Sequence, residues 1–583
     1  MKKTIFVLAG LCYLLAACTA PPQVAPVTEQ AAVPEATQAS PTQAPEASPA
    51  TPSEQPQQPA VVDTQGQGLP LISVRDTLFN GSGNCGICHT QMIDMAGKDV
   101  STDRLWRATS MANSARDPYW QASVRREVLS NPDFQEVIED KCATCHMPMA
   151  RTTDVSEGGT GAILDQGYLD AQHPKHSLAM DGISCTLCHQ FQPDNFDTLE
   201  SFSGHYLIDT QTPAGERLLY GPYGPQPGLA RIMQGVSGFI PQLGPHIEES
   251  AMCGTCHNLN TPFLDAQDQV AGEFPEQAVY SEWLNSAFVD QKSCQGCHMP
   301  VAQGGVQLST TGGPKRSPFY QHYFVGGNQY MPQIYQVYGD ELGVTASNDH
   351  FETTILNTQE MLTTQTASLA IENPTLADGK LSFEVLLQSQ VGHKFPSGFP
   401  SRRAWLHVVV RDASGQVVFE SGTPEPTGAI LGNDHDLDML KVEPHYTLID
   451  NPEQVQIYES IMMDTEGNPT TTLLRGSAYM KDNRILPQGF DKASAPAEVA
   501  VYGEALADEN FRGGEDRIQY QVDLSAASGP FTVQVELLYQ TISFRWAENI
   551  KGYNSMETER FVEYYAAMPN LPFLVASAEQ EVE

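Results

Sequence analysis

The mature chain has no cysteine to spare for a structural disulfide. Of its 12 cysteines, Cys12 and Cys18 lie at the extreme N-terminus, and the other ten fall between residues 85 and 297 in five copies of one pattern. After residue 17 there is no run of 18 or more apolar residues, so no later segment reads as a membrane-spanning helix. Basic residues are scarce: 32 Lys and Arg stand against 70 Asp and Glu, for a formal charge of -38. Such a surface repels nucleic acid and anionic lipid headgroups, and it favours solubility or basic partner proteins. Residues 19–68 contain no aromatic side chain and no Lys or Arg. A segment so rich in Pro, Ala, Gln, Thr and Ser cannot build a core and reads as a disordered tether. About 50 residues of flexible coil reach about 40 Å.

The repeated pattern is C-x-x-C-H: Cys85/Cys88/His89, Cys142/Cys145/His146, Cys185/Cys188/His189, Cys253/Cys256/His257 and Cys294/Cys297/His298. It is the attachment pattern of haem c, in which two thiols join the porphyrin vinyl groups and the adjacent His is the proximal iron ligand. A zinc ribbon would pair C-x-x-C units without requiring a His after each. A dithiol redox site would occur once. Five complete copies imply five covalent haems.

The N-terminus accounts for the remaining cysteines. Lys2 and Lys3 precede a short apolar run, Ile5 to Ala17, which suits a signal peptide. The run ends in L-A-A-C, similar to a bacterial lipobox, with Cys18 as the lipidated first residue of the mature chain; ordinary signal cleavage nearby is the alternative. Export agrees with haem c attachment, which takes place outside the cytoplasmic membrane. The expected location is the outer side of that membrane, in the periplasm or at the cell surface.

The expected architecture is α+β and multidomain. Residues 1–17 are the signal, 18–68 the tether, and 69–340 a haem-packed, mainly helical and loop-rich cytochrome domain. Residues 341–366 form a helical connector, and 367–583 an all-β, Ig-like sandwich with a terminal helix. Helices are expected at 102–114, 118–128, 131–140, 247–256 and 276–288, with loop at the Gly- and Pro-rich 221–245. Residues 381–388 and 531–540 alternate apolar and polar side chains, the period of half-buried strands. D-A-S-G (412–415) reads as a hairpin turn, and 555–567 as an amphipathic helix burying Phe561, Val562 and Tyr565.

Each iron needs a sixth ligand or an open position: the first makes a carrier, the second a catalytic or gas-binding site. Of 15 His, five are proximal. His176, His205, His246 and His322 lie among or just past the motifs and are candidate distal ligands; each is otherwise a surface or propionate-contacting His. No His lies between His89 and His146, so Met111 is the candidate for the first iron, or else a core residue packing on a porphyrin. In G-H-K-F-P-S-G-F-P-S-R-R-A-W (392–405), His393 and Lys394 could reach back to a haem. Alternatively this is a structural turn, with Arg402 and Arg403 meeting propionates or backbone. The acidic run 433–438 has oxygens at alternate positions, as calcium sites do, but lacks their Gly and closing Glu, and reads equally as a solvated turn.

Several stretches resemble one family: A-T-S-M-A-N-S-A-R-D-P-Y-W (108–120), D-G-I-S-C-T-L-C-H-Q (181–190), M-C-G-T-C-H-N-L (252–259), P-E-Q-A-V-Y-S-E-W-L-N-S-A-F (275–288) and C-Q-G-C-H-M-P (294–300). They are similar to multihaem cytochromes related to the tetrahaem cytochrome of nitrification and to hydroxylamine oxidoreductase, over about 81–330. G-H-K-F-P-S-G resembles a β domain appended to such proteins. The resemblance implies either an electron carrier exchanging electrons with redox proteins, or an oxidoreductase acting on a small nitrogen or sulfur compound at one open haem. A third reading has the sandwich bind a partner while the haems are accessory. Related proteins often carry His one position after the S-M pair; here that position is Ala112. Pentahaem nitrite reductases typically end their catalytic motif in Lys, whereas all five motifs here end in His.

Overall fold

Strand formation in the C-terminal half follows the period-two pattern closely. In the computed structural model, which describes residues 66–583, the Lys380–Ser389 and Phe531–Gln540 strands cover both alternating stretches. The signal, most of the tether and Cys18 lie outside the described residues. Two sheets result. One has seven strands, running Pro469–Thr470, Ile457–Met463, Arg403–Arg411, Phe531–Gln540 and Phe573–Val582, with Val417–Ser421 and Ala478–Asp482 attached. The other has four: Leu448–Ile449, Glu515–Asp523, Lys380–Ser389 and Ala367–Ala377. Register places Val535 opposite Val408 in the first sheet and Phe383 opposite Tyr520 in the second. Inward side chains of both sheets, among them Leu406, Val408, Val533, Val535, Phe383, Val385 and Ile518, share one hydrophobic cluster. A stretch the sequence did not mark as a strand, Phe573–Val582, closes the larger sheet against Phe531–Gln540.

The haem-motif half is helical and loop-rich, with short two-stranded sheets. The Pro118–Ser130 helix begins where expected, because Asp117 caps it by accepting from the Tyr119 and Trp120 amides and Pro118 occupies its first turn. Other boundaries differ. The helix expected at 102–114 stops at Trp106 and continues as turns. The one expected at 131–140 is a short 3-10 turn followed by Gln135–His146, which carries the second motif. The 221–245 loop contains a helix, Pro227–Ser237, between the parallel strands Arg217–Gly221 and Phe239–Leu243. Its Gly and Pro are helix punctuation: Pro227 sits in the first turn and Gly238 ends it at φ 77°. Of 276–288 only Val279–Leu284 is helical, and the preceding Val270–Ala278 is a strand paired with Asn258–Leu264.

The described residues belong to one compact unit. The Tyr330–Leu342 and Asn348–Gln365 helices pack together and lead into the sheets. The Met556–Ala567 helix buries Phe561 and Tyr565 and returns to pack on Pro118–Ser130. Among the described residues no helix is long and apolar enough to cross a membrane.

Candidate functional site

Four of the five motifs line a single cavity of about 980 Å³, at the upper end of the range of about 300–1,000 Å³ for ligand pockets. Its wall holds both cysteines and the histidine of the first, third, fourth and fifth motifs. Apolar residues of the unexpected Pro227–Ser237 helix, including Leu229, Met233 and Val236, form part of the same wall.

The motif histidines are held in orientations that suit metal ligation. Nδ1 lies 2.8 Å from the Leu308 carbonyl in His89, 3.2 Å from Ser114 in His146 and 2.6 Å from Tyr220 in His189, and His298 Nδ1 meets the Val325 carbonyl. A backbone carbonyl accepting from Nδ1–H fixes the tautomer and leaves Nε2 as the donor to a metal. Burial also lowers the pKa of these rings, to about 4 in His146, His257 and His298. They are therefore neutral, as ligation requires.

Two further imidazoles oppose motif histidines across the cavity. His322 faces His189 with ring centroids 6.5 Å apart and planes 24° apart. His393 faces His298 at 6.2 Å and 10°. These separations are too wide for face-to-face contact. A metal bound to one nitrogen of each ring by bonds of about 2 Å would span such separations. Paired thiols, a neutral imidazole with free Nε2 and a second imidazole opposite make a donor set that fits haem c.

Cross-motif thiol contacts give the motifs a spatial order. The Cys85 thiol lies beside that of Cys185, Cys145 beside Cys256, and Cys253 beside Cys294. Cys188 is close enough to Cys253 and Cys256 to act on them electrostatically. Helix contacts agree: Ser82–Gly86 packs on Cys185–Cys188, and Cys294–His298 on Ser250–His257. The fourth motif thus lies near the second, third and fifth, and the first lies beside the third.

The other candidates separate. Met111 lines the cavity, as do Met92 and Met361, and Ala112 beside it is buried. His176 Nδ1 donates to the Tyr168 carbonyl, 2.8 Å away, the arrangement the motif histidines show, but it lies outside the cavity wall. His246 is buried between Tyr220 and Phe196 with Nε2 2.9 Å from the Phe191 carbonyl, and is likewise outside the wall. His205 is exposed, next to the Gly204 turn that approaches Cys145. His393, which position in the sequence left ambiguous, is the ring that faces His298. Its neighbour Lys394 cannot do so, because its Nζ is fully buried on Asp482.

The two arginines of 402–403 diverge because they point to opposite sides of a strand start. Arg402 lines the cavity and donates to the Ser397 carbonyl. Arg403 is buried and its Nη1 holds both oxygens of Asp436, at 2.8 and 2.9 Å. That contact occupies the central carboxylate of the 433–438 run with a guanidinium, leaving it unavailable to calcium. A second cluster, His445, Asp508 and Asp516, brings possible cation ligands together. However, His445 Nδ1 already accepts from Gln456 and Asn483 amides, so Nε2 must carry the proton that it donates to Asp508, 3.1 Å away. It is a hydrogen-bonded network.

Near the second motif, Glu276 is wholly buried with Oε2 unpartnered. Burial, with the Glu127 carboxylate nearby, pushes its pKa up to about 7 from 4.5. A raised acid pKa favours folding most below about pH 4.5 and costs stability as pH rises through 7. Glu276→Gln is therefore expected to flatten the pH dependence over that window and to stabilise the protein at pH 8 by about 3 kcal/mol. Denaturant midpoints at pH 5 and pH 8 measure it; equal pH slopes in variant and parent would refute it.

No family profile and no curated protein matches this chain. Among solved structures it is similar to a penta-haem cytochrome c552 from Thermochromatium tepidum, at 17% identity and a TM-score of 0.47, covering 86% of this chain and 98% of that one.

Proposed function

We propose that this chain is an exported, lipid-anchored pentahaem cytochrome c that transfers electrons along its covalently held haems. The observation that carries the reading is the pair of opposed imidazoles, His189/His322 and His298/His393, set at iron-spanning distance among paired thiols. Haem supplies reversible one-electron exchange at iron. The cysteines would hold each haem, the motif histidines would ligate its iron, and His322 and His393 would be further ligands at the third and fifth motifs. The thiol contacts make the route branched, from the first motif through the third to the fourth, and from there to the second or fifth. In this reading the 69–340 region is haem-packed, the C-terminal half is an Ig-like sandwich that lends a ligand, and Cys18 carries the lipid. The acidic surface suits redox partners with basic docking faces.

A second reading rests on the cavity wall. Among the described residues lining it, His322 and His393 are the only histidines outside the motifs. His89 and His257 thus have no further imidazole opposite them there. Met111, in the wall, is the candidate ligand for the first iron. If that position is open instead, it is a site for a small nitrogen or sulfur compound.

Intact mass and electron paramagnetic resonance (EPR) of the membrane-extracted protein test both. The expected mass is the chain from Cys18 plus five haems and lipid, and the spectrum is expected to be dominated by low-spin iron. Fewer haems would overturn the cytochrome reading. A high-spin signal that binds nitrite or carbon monoxide on reduction would favour the enzyme.

A further inference from the structure

The turn that presents His393 is gripped by a buried cluster of four charges drawn from both halves of the molecule. Lys394 Nζ sits 2.7 Å from Asp482 Oδ2 and 2.9 Å from the Ala500 carbonyl. Asp482 also accepts from Arg484 Nε at 2.9 Å and Nη2 at 2.8 Å. Arg484 Nη2 reaches Glu282 Oε1 at 2.8 Å. Glu282 lies on the Val279–Leu284 helix of the haem-motif half, and its Oε2 accepts the Lys394 backbone N–H at 3.1 Å. All four side chains are at least 90% buried, and their charges cancel.

Cohesion between the halves does not need these charges. A buried ion pair is costly to desolvate, and apolar replacements of the same shape are often as stable or more so. What the cluster supplies is direction. Glu282 holds the amide of the residue next to His393, whose own Nδ1 lies 2.9 Å from the Lys394 carbonyl. One residue further on, Phe395 exchanges both backbone hydrogen bonds with Ile485. On the other flank Gly392 fits closely against the haem half: a Cβ there would lie 3.1 Å from Phe288 and 3.3 Å from Trp283.

We propose that Glu282, Arg484, Asp482 and Lys394 are positioning residues that hold His393 over the fifth-motif iron. This rests on the axial assignment of His393 made above. The C-terminal half then completes the coordination of a haem attached to the N-terminal half.

The test uses fully haem-loaded, full-length protein, read by EPR and by redox titration. His393→Met is expected to raise one potential and leave the others, which marks the fifth-motif signal. Asp482→Asn and Glu282→Gln are expected to move that same signal, and no other, towards a high-spin component. If Asp482→Asn does not accumulate, Glu282→Gln decides, because an amide has one acceptor oxygen and so cannot meet both Arg484 Nη2 and the Lys394 backbone N–H as the two carboxylate oxygens do. No response to His393→Met would overturn the axial assignment and the positioning role with it. A response to His393→Met with none to either charge variant would overturn the positioning role alone. So would a common shift of several signals, which is what a merely structural cluster predicts.

Discussion

Replacing the ten attachment cysteines by serine is expected to abolish fixed tertiary structure in the haem-motif half while the C-terminal sheets persist. The two halves differ in what fills them. The sheets share the largest apolar cluster, packed from side chains of both sheets and including Val408, Val535, Phe383 and Ile518. The motif half has smaller clusters around a cavity of about 980 Å³, whose wall is apolar and needs an occupant. Interiors pack to crystal-like density, and a void of that size would collapse or flood. The haem-free chain should therefore bind ANS, lose near-UV dichroism from the N-terminal half and yield a protease-resistant fragment covering roughly the residues from 367 onward. Retention of native near-UV dichroism without haem would mean that side chains alone build the core, contrary to the expectation.

Legibility in the sequence follows the range of the chemistry. Covalent attachment is local: two thiols and a histidine within five residues, so all five motifs could be read directly. The second axial ligand is set by folding. His322 was a candidate from its place just past the last motif, but that it faces His189, and that His393 faces His298, follows from the 319–325 loop and the 392–398 turn lining the same cavity, which no local pattern shows. A signal for His393 did exist, in a lysine next to it inside an otherwise apolar Gly- and Pro-bounded turn. A lysine that must be buried needs a carboxylate, and Asp482 supplies it. Strands with one buried face were plain. The Pro227–Ser237 helix was not, because its apolar residues line the cavity and no residue of the helix is fully buried. The helix expected at 276–288 took in the last three residues of the Val270–Ala278 strand, whose pairing with Asn258–Leu264 is a contact between separate segments that the local pattern does not show.

Exchanging His322 for Met is expected to raise one haem potential well clear of the others and to leave the remaining four in place. The imidazole faces His189 at 6.5 Å, with Phe319 and Phe324 against it, so the ring is held in the cavity wall opposite the third motif. Methionine is unbranched and long enough to present its thioether in the same space. A His/Met pair stabilises the reduced iron relative to a His/His pair, and the potential rises. His322→Ala removes the donor altogether, and is expected to convert one low-spin signal to high-spin iron that binds carbon monoxide when reduced. His407 is the control. Its two ring nitrogens each lie 3.0 Å from a carboxylate, Glu536 and Glu420, on the Arg403–Arg411 strand and its neighbours, away from the cavity. His407→Ala should leave all signals unchanged. If His322→Met and His322→Ala both behave like the control, the ring opposite His189 is a packing residue, and the third iron draws its sixth ligand from elsewhere. If His322→Ala alters the spectrum of two haems at once, the branched order read from the thiol contacts is too loosely drawn, because the third motif then shares its axial region with a neighbour.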